Sequence, residues 1–536
     1  MCYKTPMKKV TGIIFRSLIL LLLGVAIGLL ISDDFTGRSM GLSLSGNNKI
    51  SKVLTLVKHN YVDSVNEDSI EGIAVNNLLQ NLDPHSVYLP PKQAQTINER
   101  LEGGFNGVGL TYQLLRDTLF ITQVYPGGPA EKAGLAAGDR IINVNGKKFS
   151  GTNLTDTRVN NTLRGDKDTG ISLGVYSQNN TILKPYILKR SYVNLSSLDA
   201  DYMVSPGVGY IKISKFALTT DADFREALAR LKAKGLKKLV LDVRENGGGY
   251  LNAATALANE FLPKDHLIVY TKGLHEERKD YFSTDSGVFK EGELAVMIDE
   301  YSASASEILA GALQDLDRAV IVGRRSFGKG LVQQQFPFAD GSAVNLTIAR
   351  YYTPSGRSIQ KSYKNGLKDY HNEIAQRMRK GEFFSEERNL SDSIFLKPSP
   401  YRTAKGRKVF SGGGIMPDIF VPADTNENTE LVEELTGQQL FTAYTIDKLQ
   451  PVLAKYASAD DFVKHYTVND NEFDRFITYA SNTIKEMDSR ELLASRQTIK
   501  TALKAFAARF KWGDNAYFET VNSDDPTFKK AVEAVN

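Results

Sequence analysis

The side chains best suited to chemistry sit in one stretch, Glu293–Gln335. There Ser302, Ser304 and Ser306 alternate with alanine, and a lone Lys329 stands between Gly328 and Gly330. The serines fall between an apolar strand, Leu294–Ile298, and a helical run of Ile308, Leu309, Ala312, Leu313 and Leu316. A small-residue turn feeding a helix N-terminus exposes a side chain and offers unpaired backbone N–H groups. A hydroxyl there becomes a nucleophile once a base takes its proton. Lysine can be that base if burial lowers its pKa from ~10.4 toward about 7–8. Gly328 and Gly330 bring no acid to hold the ammonium charged, and Gln333 can accept a lysine N–H without adding charge.

Each feature has a plainer reading. Ser304-Ala305-Ser306-Glu307 fits a capping box, S-x-x-E, which explains Ser304 and Glu307 but not the alternating alanines. Gly323–Lys329 fits the first seven positions of a phosphate loop, GxxxxGK. Gly330 then stands where a magnesium-binding hydroxyl belongs, and Leu331–Phe336 alternates like a strand, so that match is accidental. A second glycine signal, Asn246-Gly247-Gly248-Gly249, follows the apolar strand Leu239–Val243 and precedes a helix, Ala253–Phe261. Three glycines let a backbone approach a ligand closely, which suits an oxyanion site.

Several elements must position these groups. Residues 1–32 carry Lys4, Lys8, Lys9 and Arg16 and the apolar run Ser17–Ile31, with no small-residue cleavage site following. They are expected to be a single-pass anchor or signal segment, with the N-terminus inside and the body outside. Residues 33–100 form an N-terminal helical region, in which Ile50, Val53, Leu54 and Val57 recur at helical spacing. Leu82-Asp83-Pro84-His85-Ser86 breaks it, and His85 reads as a turn or packing residue. Residues 101–190 turn to short strands and glycine turns, residues 191–424 to an α/β pattern with a polar insertion at 361–408, and residues 425–536 to helices. The net charge of +4 on 536 residues disfavours nucleic acid as a partner. Cys2 is the one cysteine, and the six histidines lack metal-ligand spacing, so neither metal nor cofactor is expected.

The segment containing Gly107-Val108-Gly109-Leu110, Pro126–Leu135 and Gly138–Gly146 closely resembles a PDZ domain of the protease-associated kind. In such domains the glycine loop, here Gly107, Val108, Gly109 and Leu110, holds a C-terminal carboxylate while the peptide adds as a strand. The whole succession also resembles the carboxyl-terminal processing peptidases, serine proteases with an inserted PDZ domain. The carrying motifs are Leu82–Ser86, Phe105–Gly109, Asn246–Gly249, Ser302–Glu307, Phe327–Gly330 and Gly414–Ile419. The resemblance runs from about Tyr61 to Val421, the insertion apart.

It implies Ser304 as nucleophile, Lys329 as base and Gln333 as the residue orienting the lysine. It also implies the backbone N–H groups of Ala305 and of Gly248 or Gly249 as oxyanion donors. Gly247 departs from the proline common in the family. The implied fold is multidomain: an α/β core like the crotonases and the Clp protease subunit, an inserted PDZ domain, an N-terminal membrane anchor and a C-terminal helical domain. The implied partners are protein or peptide substrates with free C-termini and the inner membrane, with the body in the periplasm or outside the cell; an adaptor is left open. Two other classes compete. One is a non-catalytic, membrane-tethered PDZ scaffold, and the other a Ser-His-Asp PDZ protease using His85, for which no Gly-x-Ser-Gly-Gly turn is present.

Overall fold

A computed structural model describes residues 49–177, 182–385, 401–424 and 429–536. The chain forms two compact units, residues 1–77 and 78–536. The expected anchor at 1–32 lies outside the described residues. Among those described, no helix is long and apolar enough to cross a membrane. In the first unit the helix Lys49–Asn60 has the expected periodicity but buries none of its side chains.

In the second unit the strands Val208–Ile213, Lys238–Asp242 and Leu294–Ile298 are apolar and buried nearly throughout. Such runs suit a parallel sheet covered on both faces. The sheet has six strands, in the order Leu198–Ser205, Val208–Ile213, Lys238–Asp242, Leu294–Ile298, Val320–Gly323 and Ile419–Phe420. All neighbours pair in parallel except the first two. The helices Thr220–Ala233, Leu251–Asn259 and Ala305–Asp315 bury one face through Phe224, Leu257 and Leu309. The helix Pro526–Val535 covers the other through Phe528 and Val535 against Tyr210 and Val240.

This topology sets up the site. The triglycine segment, the serine turn and the lysine loop follow three adjacent parallel strands, Lys238–Asp242, Leu294–Ile298 and Val320–Gly323. All three therefore emerge at the carboxyl edge of one sheet, where α/β proteins build their sites. A second, antiparallel sheet carries Leu331–Pro337 beside Ala343–Tyr352, with Val87–Leu89 on the other side of the latter.

Two expected boundaries are corrected here. Val87–Leu89 and the helix Pro91–Glu102 belong with the core rather than with an N-terminal helical region. The last helix belongs to the core sheet rather than to an accessory domain, because its apolar face is what buries Tyr210 and Val240.

Strands Leu110–Leu115, Thr118–Val124, Arg140–Val144, Gly170–Tyr176 and Lys184–Lys189 form the inserted β domain in that spatial order, leaving Leu110–Leu115 at an edge. Its own core includes Leu119, Ile141, Val159 and Leu173. The C-terminal helices dock on this domain as well. Phe120 joins their hydrophobic cluster, Arg116 pairs with Asp447 at 2.5 Å, and Gln113 donates to the Gln439 carbonyl at 3.0 Å.

Candidate active site

Only one of the three serines is left for chemistry. Ser302 is fully buried, its hydroxyl 2.9 Å from the Val243 carbonyl and accepting the Asp299 N–H at 3.0 Å. Ser306, also fully buried, donates to the Asn246 carbonyl at 2.8 Å. Both thereby tie the serine turn to the neighbouring strand end. Ser304 is half-buried, lines a cleft of about 260 Å³, and takes φ 54° and ψ −111°. A non-glycine residue held there stores strain of ~1–3 kcal/mol, which the flanking bonds sustain.

Glu307 does more than cap the helix. Its buried carboxylate accepts the Ser304 N–H at 2.9 Å, and it reaches the lysine loop too. There it accepts from Ser326 Oγ at 2.5 Å, Gly328 N at 2.7 Å and Lys329 N at 2.8 Å. Burial pushes this carboxyl up to about 7. Four donors nevertheless converge on its two oxygens, and that geometry fits the ionised form. The capping-box spacing carried the signal for Glu307; its reach to residues 326–329 had none.

Lys329, half-buried, lines the same cleft, and desolvation there lowers its pKa against the opposing fields of Glu307 and Asp83. Among the described residues its ammonium forms no ion pair. The expectation of a lysine without an acid thus holds for direct partners and fails for the surrounding field. The fully buried Tyr351 holds the serine turn and the lysine loop together, its hydroxyl 3.1 Å from the Ser304 carbonyl and 2.6 Å from that of Lys329.

The polar insertion at 361–408 shows no obvious core pattern in the sequence, yet several of its described residues are buried. Tyr370, Arg377, Glu382 and Phe383 are buried. Arg377 donates to the carbonyls of Arg325 at 2.6 Å and Ser326 at 3.2 Å, while Arg325 pairs with Glu382 at 2.7 Å. Lys361 Nζ lies 3.7 Å from the centre of the Phe327 ring. Buried charges pairing across loops replace the apolar periodicity that sequence reading looks for.

The triglycine segment meets the serine turn directly. A Cβ added to Gly248, at φ 101°, would lie 2.8 Å from Ser304 Cβ and 2.9 Å from Ala305 N. Its amide, expected as an oxyanion donor, instead donates to Asn246 Oδ1 at 2.9 Å. Among the described residues the Ala305 and Gly249 amides have no hydrogen-bond partner. Gly247 meets nothing within 4 Å. Gly248→Ala is therefore expected to cut peptide cleavage at least tenfold, whereas Gly247→Ala stays within twofold of wild type in the same assay. Equal rates for the two would remove the close approach from the account.

Gln333 lines the cleft, but its Nε2 donates to Thr347 Oγ1 at 3.2 Å, and no bond to Lys329 is present among the described residues. His85 comes near as well, its Nε2 2.7 Å from the Tyr370 hydroxyl. Burial, reinforced by the Lys329 charge, lowers its pKa to about 3. A base that weak is a poor match for a serine proton at neutral pH, and its ring packs edge-on against Phe327 and Tyr370.

In the β domain, Val108 and Gly109 turn their carbonyls inward to Ala130 N at 2.8 Å and Tyr125 N at 3.0 Å. Among the described residues the amides of the same two have no partner. Gly107 is bridged to Arg164, and Leu110 opens the edge strand.

Comparison with known proteins falls on the same segments. Residues 207–371 match the family described as Peptidase family S41, and 120–169 match the PDZ domain. Residues 431–513, in the helical domain, match a family of unknown function. The chain is 35% identical over 316 residues to the carboxy-terminal processing protease CtpB of Bacillus subtilis, covering 58% of this chain and 65% of that one. It thus spans just under two thirds of that relative's length. The photosystem II D1 C-terminal processing protease structure is 30% identical, with 59% of this chain and 84% of that one covered and a TM-score of 0.33.

Proposed function

The chain belongs to the carboxyl-terminal processing peptidases, joining a peptidase family S41 domain to a PDZ domain, and from that premise we propose that it is a serine endopeptidase cleaving exported proteins near their C-termini. Ser304 Oγ gives its proton to Lys329 Nζ and attacks the scissile carbonyl. The Ala305 and Gly249 N–H groups receive the oxyanion, each donor worth roughly 3–4 kcal/mol. The lysine ammonium then protonates the leaving amine, and water hydrolyses the acyl-enzyme by the same route. One observation carries this reading. A half-buried lysine that forms no ion pair among the described residues shares a cleft with a strained serine at a helix N-terminus.

The cleft walls favour apolar side chains in the substrate, through Leu101, Leu251, Ile308 and Leu331. The unpartnered amides of Val108 and Gly109 suit capture of a terminal carboxylate, with the tail extending the free edge of Leu110–Leu115. Tethering raises the local substrate concentration. The charge pattern of residues 1–32 supports a body held outside the cytoplasmic membrane by one N-terminal span.

The test compares a peptide ending in apolar residues with its C-terminally amidated form. Hydrogen bonds to a charged group are worth ~1.5–3 kcal/mol, so amidation is expected to lower kcat/KM by roughly 10–100-fold. Equal cleavage of both forms would exclude tail reading while leaving the peptidase chemistry standing.

A further inference from the structure

The motif Leu82–Ser86 has so far received no role, and Asp83 is its centre. The carboxylate is 6% exposed and accepts four hydrogen bonds. Its donors are His85 N at 2.8 Å, Ser86 N at 2.9 Å, Ser86 Oγ at 2.6 Å and Thr347 Oγ1 at 3.0 Å. The last of these reaches across to the second sheet. Thr347 also donates its own N–H to Ser86 Oγ at 3.1 Å, so turn and strand are joined twice.

Thr347 is the cross-strand partner of Gln333. Their register shifts between Val332 and Gln333, leaving Ile348 as the extra residue opposite. A bulge of this kind re-aims side chains beside it, and here the two meet at 3.2 Å.

Proton counting then orders the chain of groups. An ionised carboxylate only accepts, so the single Thr347 hydroxyl proton goes to Asp83. Thr347 Oγ1 is left as an acceptor, and only the NH₂ branch of Gln333 can face it. The carbonyl branch must therefore turn away from Thr347, and Gln333 lines the cleft that also holds Ser304 and Lys329. Without Asp83 the threonine proton could serve either neighbour, and both orientations of the amide would be populated.

We propose that Asp83 and Thr347 are positioning residues that set which end of the Gln333 amide faces Lys329, presenting a carbonyl oxygen and never an NH₂ group to the lysine. The inference rests on the Ser304–Lys329 reading and deepens it. The carbonyl can accept from the ammonium that forms during each turnover, whereas an NH₂ group there would oppose it.

The experiment measures kcat and KM on one peptide for wild type, Gln333→Ala, Thr347→Val, Thr347→Ser and the double variant Thr347→Val/Gln333→Ala. Valine keeps the shape of threonine without the hydroxyl. Thr347→Val is expected to lower kcat about tenfold, as one misdirected polar contact of ~1.4 kcal/mol would, with KM within twofold. Thr347→Ser should restore the rate, and the double variant should be no slower than Gln333→Ala alone. Wild-type kcat in Thr347→Val, or effects of the two substitutions that multiply, would overturn the proposal and leave the dyad intact. Wild-type kcat in Gln333→Ala would overturn it together with the role of Gln333. Cleavage surviving Ser304→Ala would instead sink the peptidase reading beneath it. Thr347→Ala, read by the same criteria, replaces the valine variant should that one fail to fold.

Discussion

Ser304→Ala is expected to abolish peptide cleavage, with kcat falling roughly 10⁴-fold or more, as removal of a nucleophile does in enzymes whose catalytic groups act as a unit. The fold should survive it. The bonds that shape the turn come from Ser302, Ser306 and Glu307, and the last of these engages the Ser304 backbone N–H, which alanine keeps. Alanine is also as strained as serine at φ 54°, so the folded state has no reason to relax to a different turn. The measurement is single-turnover cleavage beside a thermal unfolding curve. A variant that unfolds near the wild-type temperature yet makes no acyl-enzyme isolates the hydroxyl. Cleavage retained at more than a tenth of the wild-type rate would remove Ser304 from the reaction.

The second large effect belongs to Lys329→Met. Losing the base is expected to cost 10³-fold or more in kcat/KM at every pH, in line with the roughly 10²–10⁴-fold that general bases contribute and the coupling of base to nucleophile. In wild type, kcat/KM should rise with pH, because the ammonium form is inactive and the amine active. The limb should lie below the ordinary lysine value, since burial depresses the group. Stability should move with pH in the same direction as activity. A lysine whose folded pKa is depressed binds its proton more weakly in the folded chain than in the unfolded one. Stability therefore rises with pH between the depressed value and ~10.4, and the penalty is fully present below that window. Removing the charge at neutral pH should raise the unfolding temperature while ending activity. A Lys329→Met protein that is both inactive and less stable would argue for a structural role of the ammonium instead.

The missed parts of the site share one cause. Glu307, Tyr351, Asn246 and Thr347 act through hydrogen bonds to residues 19 to 264 positions away in the chain. No local period or motif records such partners. Glu307 came closest, because S-x-x-E spacing marks a helix start, but the same carboxylate also serves residues 326, 328 and 329. The stretch 361–385 was missed for a related reason. It is held by Arg377, Glu382 and Lys361 pairing with other charged groups, and a buried charge looks in a sequence like an exposed one.

By itself the sequence determined the strands, the turns and the chemistry that each turn can carry. Apolar runs of strand length, glycines where a backbone must approach closely, and small residues at a helix start are local requirements, and local requirements leave local traces. It also marked the alternating serine run and Lys329 as candidates, while the choice of Ser304 among the three serines came from the family resemblance. The tertiary structure alone decided their meeting. Strands whose paired residues stand 55 (Leu239 and Leu294) and 25 (Ala295 and Val320) positions apart in the chain become parallel neighbours, and parallel pairing brings their carboxyl ends to one edge. It also decided that Ser302 and Ser306 are spent on bonds to the adjacent strand, that the Gly248 amide is taken by Asn246, and that a field from Glu307 and Asp83 surrounds the lysine. Charge and hydrogen bonding depend on distance through space, which the order of residues does not record.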